Sequence, residues 1–191
     1  MEINMIFASN NKNKLKEIKR ILSNYDIKSL DECNITVDVI EDQDTFYGNA
    51  LKKAKEIYEL AKEPIIADDS GLSIDYYNGW PGVYTARFLG ENKSVRERND
   101  YIIEKMKDLS LDNRGAKVIC TLVYYDGINT IVGEGILSGK ISNFNNATDK
   151  FGFDDIFLLD DDRFVSDLSE KEKNMISARK LAAIDLLSKL K

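Results

Sequence analysis

Ile65-Ile66-Ala67-Asp68-Asp69-Ser70-Gly71-Leu72-Ser73-Ile74 begins with a short apolar run, Ile65 to Ala67, of the kind that forms a buried strand. The strand is expected to end on two adjacent carboxylates and a small Ser-Gly turn, after which Leu72-Ser73-Ile74 resumes an extended pattern. Successive residues of an extended chain point to opposite sides, so Asp68 and Asp69 face different surroundings and can take different tasks. One can hold a metal ion while the other orients or deprotonates a water. The same four residues also suit a plain strand-ending turn, and only their company in the chain separates the two readings.

Upstream, Asn4 to Ser9 is another short apolar run, leading through Asn10-Asn11-Lys12-Asn13 into a helical pattern with Leu15, Ile18, Ile21 and Leu22 on one face. A second helix is predicted from Thr45 to Lys62, since Ala50, Ala54, Ile57 and Ala61 recur at helical spacing and Pro64 stops the pattern. Downstream, Val95, Ile102, Met106 and Leu109 mark a third helix. Lys117 to Tyr125 and Asn129 to Ile136 are β-rich runs around Tyr125-Asp126-Gly127-Ile128, where Asp-Gly supplies the positive φ of a tight hairpin. A last helix is predicted from Ser169, with Ser169 and Glu172 in capping-box spacing. Together these elements predict an α/β fold over a single domain, residues 1–191: an elongated mixed β-sheet, parallel in its first half only, with flanking helices and two lobes around a central cleft.

The chain has 191 residues, 27 Lys plus Arg against 33 Asp plus Glu, and no histidine, for a net charge of −6. Without histidine, Ser-His-Asp and Cys-His nucleophile systems and imidazole zinc sites are excluded. An acidic balance argues against a general nucleic-acid binder, which needs a basic surface. No apolar run approaches the roughly 20 residues that span a bilayer, and the start of the chain lacks a secretory pattern, so the expected location is the cytoplasm. Cys33 and Cys120 make no disulfide framework and are expected as reduced thiols.

Glu41 precedes the second helix, and Lys14, Lys53 and Lys173 each lie at or near a helix that could border the carboxylate pair. A polyphosphate needs cations from several directions together with N–H donors at helix starts. Spacing alone does not select these three lysines from a Lys-rich chain.

Four motifs, in order, single out two of them, Lys14 and Lys53. Ala8-Ser9-Asn10-Asn11-Lys12-Asn13-Lys14, Thr45-Phe46-Tyr47-Gly48-Asn49-Ala50-Leu51-Lys52-Lys53-Ala54, Ala67-Asp68-Asp69-Ser70-Gly71-Leu72, and Gly79-Trp80-Pro81-Gly82-Val83-Tyr84-Thr85-Ala86-Arg87 resemble the signatures of the inosine triphosphate pyrophosphatase family, which hydrolyses non-canonical purine nucleoside triphosphates. The resemblance extends over nearly the whole chain and implies a nucleotide cleft and Mg²⁺-dependent hydrolysis of dITP, ITP and XTP to the monophosphate and pyrophosphate. It implies Glu41 and Asp68 as metal ligands, Asp69 as the base or water-positioning carboxylate, and Lys14, Lys53 and Lys173 as phosphate contacts. Ser9, Asn11 and Ser70 would support the phosphates, while Phe151, Gly152, Asp154 and Arg179 would hold the base. A homodimer is implied as well.

Three departures from the family pattern stand out. Gly48 replaces a glutamate, Ala178 replaces the histidine of a Ser-His-Arg motif, and Lys150-Phe151-Gly152-Phe153-Asp154-Asp155 replaces Gly-Phe-Gly-Tyr-Asp-Pro. Arg179 is expected to read the purine O6 in the absence of that histidine, and Ala178→His to strengthen the preference. The departures leave a second reading open: a slow nucleotide-binding sensor or regulatory subunit with a protein partner, as in an antiviral defence complex. Retention of Asp68 and Asp69 favours the enzyme.

Overall fold

The computed structural model describes residues 4–90, 92–148, 150 and 152–190. Its strands are β1 (Asn4–Phe7), β2 (Asp26–Ser29), β3 (Ile65–Ile74), β4 (Trp80–Pro81), β5 (Gly115–Tyr125), β6 (Thr130–Ile141) and β7 (Phe157–Leu158). The helices are α1 (Lys12–Ile21), α2 (Phe46–Ala61), α3 (Val95–Lys105), α4 (Glu170–Ile176) and α5 (Ala178–Lys189). The strands make one sheet in the order β2-β1-β3-β5-β6-β7, with β4 paired to β3. β1 runs parallel to both β2 and β3, whereas β4 and β7 pair antiparallel to their neighbours, so the sheet is mixed, with β2-β1-β3 of the first half of the chain parallel as expected.

The helices start where side chains can satisfy their first N–H groups. Asn11 caps α1 by accepting from the N–H of Asn13 and Lys14, Thr45 caps α2 through the N–H of Gly48, and Ser94 with Glu97 forms a capping box on α3. α3 ends at Lys105, and Leu109 packs against the apolar core beyond it rather than extending the helix. The predicted C-terminal helix is two helices. Ser177 takes an extended conformation and accepts from the N–H of Lys180, so it closes α4 and starts α5 afresh. A third difference concerns the carboxylates: β3 runs unbroken from Ile65 to Ile74, so Asp68-Asp69-Ser70-Gly71 is mid-strand and not a turn.

The chain forms two compact units. The first comprises residues 1–70, 120–136 and 177–191, and the second 71–119 and 137–176. In the first, Ile6, Ala8, Leu30, Ile65, Ala67 and Val123 pack against Ala50, Ala54 and Ile57 of α2, the helix stripe that the spacing predicts. In the second, Leu72, Ile74, Ile102, Met106, Ile141 and Phe157 form the core. Beside that core Arg114 is buried, its guanidinium donating to the carbonyls of Met106, Ile141 and Ser142.

Candidate active site

Mid-strand placement sends Asp68 and Asp69 to opposite faces of β3, and both are buried. Asp68 faces cations. Lys14 Nζ of α1 lies 3.0 Å from its Oδ2, and Arg179 of α5 reaches the same oxygen with Nη2 at 2.8 Å and Nε at 3.3 Å. Burial alone would raise the pKa of Asp68, but Lys14, Arg179 and Lys53 together outweigh it and hold the group well below the usual carboxylate range. Its other oxygen, Oδ1, is buried and accepts no hydrogen bond.

Arg179 is only 7% exposed, and it is placed by the start of α5. Besides Asp68 it donates to Ser70 Oγ at 3.2 Å and to Glu17 Oε2. Burial opposes its charge, and Asp68 and Glu17 more than restore it. α5 itself lies directly on β6 because Gly133 and Gly135, alternate residues on one strand face, have no side chains. A Cβ at Gly135 would overlap the Ala178 carbonyl and the Ala182 N–H, and one at Gly133 the Ala182 carbonyl. Glu134 N–H and Lys189 Nζ add cross-links, donating to Asp185 and to the Val132 carbonyl.

Asp69 lies among different groups. Asn49 Nδ2 of α2 donates to Oδ2 at 2.9 Å, and the Ser70 N–H donates to Oδ1 at 2.9 Å. Burial, with the nearby charge of Glu41, pushes its pKa up to about 6 against the opposing pull of Lys53, Asn49 and Lys14. The two neighbours are thus split: one carboxylate is firmly ionised, the other is poised near neutrality.

Glu41 arrives on the segment before α2 and pairs with Lys53. That segment is anchored by the Gln43 N–H, which donates to Asn49 Oδ1 at 2.9 Å, and by Lys52, 2.8 Å from Asp42. Gly48 allows the close approach, since a Cβ there would stand 2.8 Å from Gln43 Cβ. Lys53 is buried, and although burial lowers its pKa, Asp68, Glu41 and Asp69 raise it further, so its ammonium is the shared counter-ion of three carboxylates.

Among the described residues no group of three or more His, Cys, Asp or Glu side chains is arranged to hold a metal ion. A magnesium ion does not require one, because it keeps several waters and takes only one or two carboxylates beside substrate phosphates. Asp68 has the charge such a ligand needs, and its one unpartnered oxygen, Oδ1, is buried beneath the cations that surround the group. At the start of α1, Ser9 Oγ accepts from the Asn11 N–H at 3.2 Å, and the side chain of Asn11 holds the first turn. Cys120, though close to this cluster, is an inert buried thiol whose pKa burial pushes up to about 12.

The structure therefore brings Lys14, Glu41, Lys53, Asp68, Asp69, Ser70 and Arg179 into one network within the first unit. Lys173 and Asp154 belong to the second unit, where they pair with each other. Gly152 has φ +71° and accepts at its carbonyl from Asn99 Nδ2 at 3.2 Å. Phe151 lies outside the described residues. Glu17 and Asn49 carry parts of the site that composition did not reveal. Their signals were the three-residue spacing from Lys14, which sets Glu17 on the same helix face, and the place of Asn49 one turn before Lys53.

The model of the Ham1 family matches residues 5–189. A dITP/XTP pyrophosphatase of Clostridium perfringens is 41% identical over 97% of this chain and 96% of its own length, and one of Bacillus subtilis is 39% identical over 97% and 95%. Among solved structures, a Ham1 protein of Staphylococcus aureus superposes with a TM-score of 0.88 at 32% identity over 98% of this chain and 97% of that one. A Ham1 protein of Coxiella burnetii gives a TM-score of 0.88 at 29% identity, covering 98% of each chain.

Proposed function

The chain belongs to the Ham1 family, and from that membership and the carboxylate pair of β3 we propose that it is a nucleoside triphosphate pyrophosphatase acting on dITP, ITP and XTP, with Mg²⁺ as cofactor. It cleaves between the α and β phosphates and releases the monophosphate and pyrophosphate. The observation that carries the reading is the placement of two adjacent buried carboxylates among different partners, Asp68 against Lys14 and Arg179 and Asp69 against Asn49 and the Ser70 N–H.

Asp69 is the group that aligns and deprotonates the attacking water, since a base works best with a pKa close to the operating pH. Asn49 and the Ser70 N–H fix the orientation of its two oxygens. Lys14 and Lys53 supply positive charge for the phosphates, and the start of α1, beside Ser9 and Asn11, adds the positive end of a helix dipole. Lys173 is proposed as a further phosphate contact, with Gly152, Phe151 and Asp154 on the base. Asp68 and Glu41 would hold Mg²⁺, which would supply neutralisation of charge on the scissile phosphates. Little further chemistry is required, because phosphoryl transfer depends mainly on positioning and electrostatics. A homodimer in the cytoplasm is the proposed working form; among the described residues no helix is long and apolar enough to cross a membrane.

A pyrophosphate-release assay with Mg²⁺ across dITP, ITP, XTP and the standard triphosphates tests the proposal. Expected are pyrophosphate from the non-canonical purines, loss of turnover with chelator, and much weaker binding of a monophosphate than of its triphosphate. Tight binding of these nucleotides without turnover would instead establish the sensor reading, and equal affinity for mono- and triphosphate would remove the phosphate site.

A further inference from the structure

Asp155 is buried, and the donors that hold its carboxylate come from the residues just before it and from Ser166. Thr148 Oγ1 donates to its Oδ1, and the N–H groups of Thr148 and Lys150 and the Ser166 hydroxyl donate to the same carboxylate. Burial opposes the charge, and these donors outweigh it, so the carboxyl lies below its ordinary value. The backbone is fastened as well, since the Asp155 carbonyl accepts from the Asn146 N–H at 2.8 Å.

Ser166, itself buried, meets this stretch of chain with every polar group it has. Its hydroxyl reaches Asp155, its N–H donates to the Asp154 carbonyl at 3.0 Å, and its own carbonyl accepts from Lys150 Nζ. Lys150 and Asp155 are two of the positions at which this chain departs from Gly-Phe-Gly-Tyr-Asp-Pro, and neither a glycine nor a proline there has a side chain able to make these bonds. The two departures thus belong to one fastening, which joins both ends of the segment carrying Gly152 and Asp154 to Ser166. From α3, buried Asn99 adds its hold on the Gly152 carbonyl.

We infer that Asp155 is a positioning residue for base recognition: it gathers Thr148, Lys150 and Ser166 so that Gly152 and Asp154 stand in their binding arrangement before a nucleotide arrives. A polar loop without such a tie spends binding energy on ordering itself, and its affinity falls with the fraction of molecules in the competent shape. This inference rests on the proposed contact of Gly152 and Asp154 with the base.

Calorimetry in the presence of Mg²⁺ with two ligands tests it: the α,β-methylene analogue of ITP, which resists cleavage, and inorganic tripolyphosphate, which has no base. Asp155→Ala should weaken binding of the ITP analogue by about tenfold, as when the competent arrangement falls to about a tenth of the molecules, and leave tripolyphosphate within about twofold. Thr148→Val removes one donor at an exposed position and should weaken the ITP analogue by about threefold. In the Asp155→Ala background the same substitution should add less than about twofold, because the two side chains act through one contact. Thermal melts identify any variant that fails to fold, and Thr148→Val keeps the question answerable if Asp155→Ala does. Wild-type affinity for the ITP analogue in both variants, or an equal loss for both ligands, overturns the positioning role alone. Wild-type protein that binds tripolyphosphate as tightly as the ITP analogue overturns the base contact and the inference with it. Tight binding of ITP without turnover overturns the pyrophosphatase activity and leaves the positioning role standing.

Discussion

Asn49 donates to Asp69 across 2.9 Å with both side chains buried, and its own carbonyl oxygen accepts from the Gln43 N–H. One side chain therefore fixes the orientation of the proposed base and anchors the segment that delivers Glu41. Asn49→Ala should lower kcat by about tenfold or more and destabilise the fold by about 1–3 kcal/mol, the penalty for leaving a buried partner unmade. Steady-state turnover and urea unfolding at pH 7.5 measure both. A variant equal to wild type in kcat would take Asn49 out of the site.

Asp69 sets a pH dependence of stability whose sign follows from its raised pKa. With an unfolded value near 3.8 and a folded value of about 6, the folded chain binds more protons than the unfolded one across that window. Stability from this group is therefore greatest below the window, falls as pH rises through it, and is level above it. Relative to Asp69→Asn, which does not titrate, the wild type should lose about 1–3 kcal/mol between pH 4 and pH 7. Unfolding free energies for both proteins across that range check it, and Asp68 cancels from the difference. A flat difference curve would show that Asp69 has an ordinary pKa. At neutral pH, Asp69→Asn should also cut turnover by about 10² to 10⁴.

Gly133 and Gly135 should be intolerant for a steric reason. Alanine at either position drives a methyl group into the backbone of α5, with no flexible side chain to give way. Each substitution should destabilise the protein by about 3 kcal/mol or more, at or above the upper range for overpacked cores. Glu134→Ala, between them and exposed, is the control and should stay within about 0.5 kcal/mol. Thermal unfolding of the three variants tests this directly, and a stable Gly135→Ala would mean that α5 does not rest on β6.

Gly48 reads from sequence as a lost glutamate, but its packing gives it another part. The N–H of Gly48 is bonded to Thr45 Oγ1 at 2.9 Å, and its bare Cα lets Gln43 pass close by. Gly48→Glu gains helix propensity of about 1 kcal/mol while forcing the 41–44 segment outward. The expected result is equal or higher melting temperature together with a raised Mg²⁺ requirement, because Glu41 is carried by that segment. A Gly48→Glu protein that needs less Mg²⁺ would favour the lost-ligand reading.

Local patterns made much of the fold legible. The stripe Ala50, Ala54, Ile57 announced α2, the Asp-Gly turn announced the β5–β6 connection, and Gly127 does adopt φ +93°. What stayed hidden depends on partners distant in sequence. β2 has only four residues and gains its place by pairing with β1, so periodicity had too little length to register it. The break at Ser177 was concealed because apolar residues continue through it, and a single capping serine decides the matter. Asp68 and Asp69 were visible as a pair, yet their division of labour comes from α1, α2 and α5, which no local reading of Asp-Asp-Ser-Gly contains.

Base preference turns on the surroundings of Ala178 and Arg179. Ala178 is 4% exposed at the first position of α5, and its carbonyl is packed on Gly135. An imidazole adds volume at this buried position, so Ala178→His should destabilise the protein by about 1–3 kcal/mol without raising turnover. Arg179, the other candidate for reading O6, has four of its five N–H groups engaged by Asp68, Ser70 and Glu17. A residue committed to holding a carboxylate acts on every substrate alike. Arg179→Lys should therefore reduce kcat/KM for ITP and ATP by similar factors, changing their ratio by less than about threefold, a shift below 1 kcal/mol. The wild type should still prefer ITP over ATP, with the discrimination coming from other donors around the base. Parallel kcat/KM measurements on both nucleotides decide between the two assignments. If Arg179→Lys loses ITP activity while ATP activity is spared, the remaining Nη1 hydrogen reads O6 after all, and the guanidinium serves base and carboxylate together.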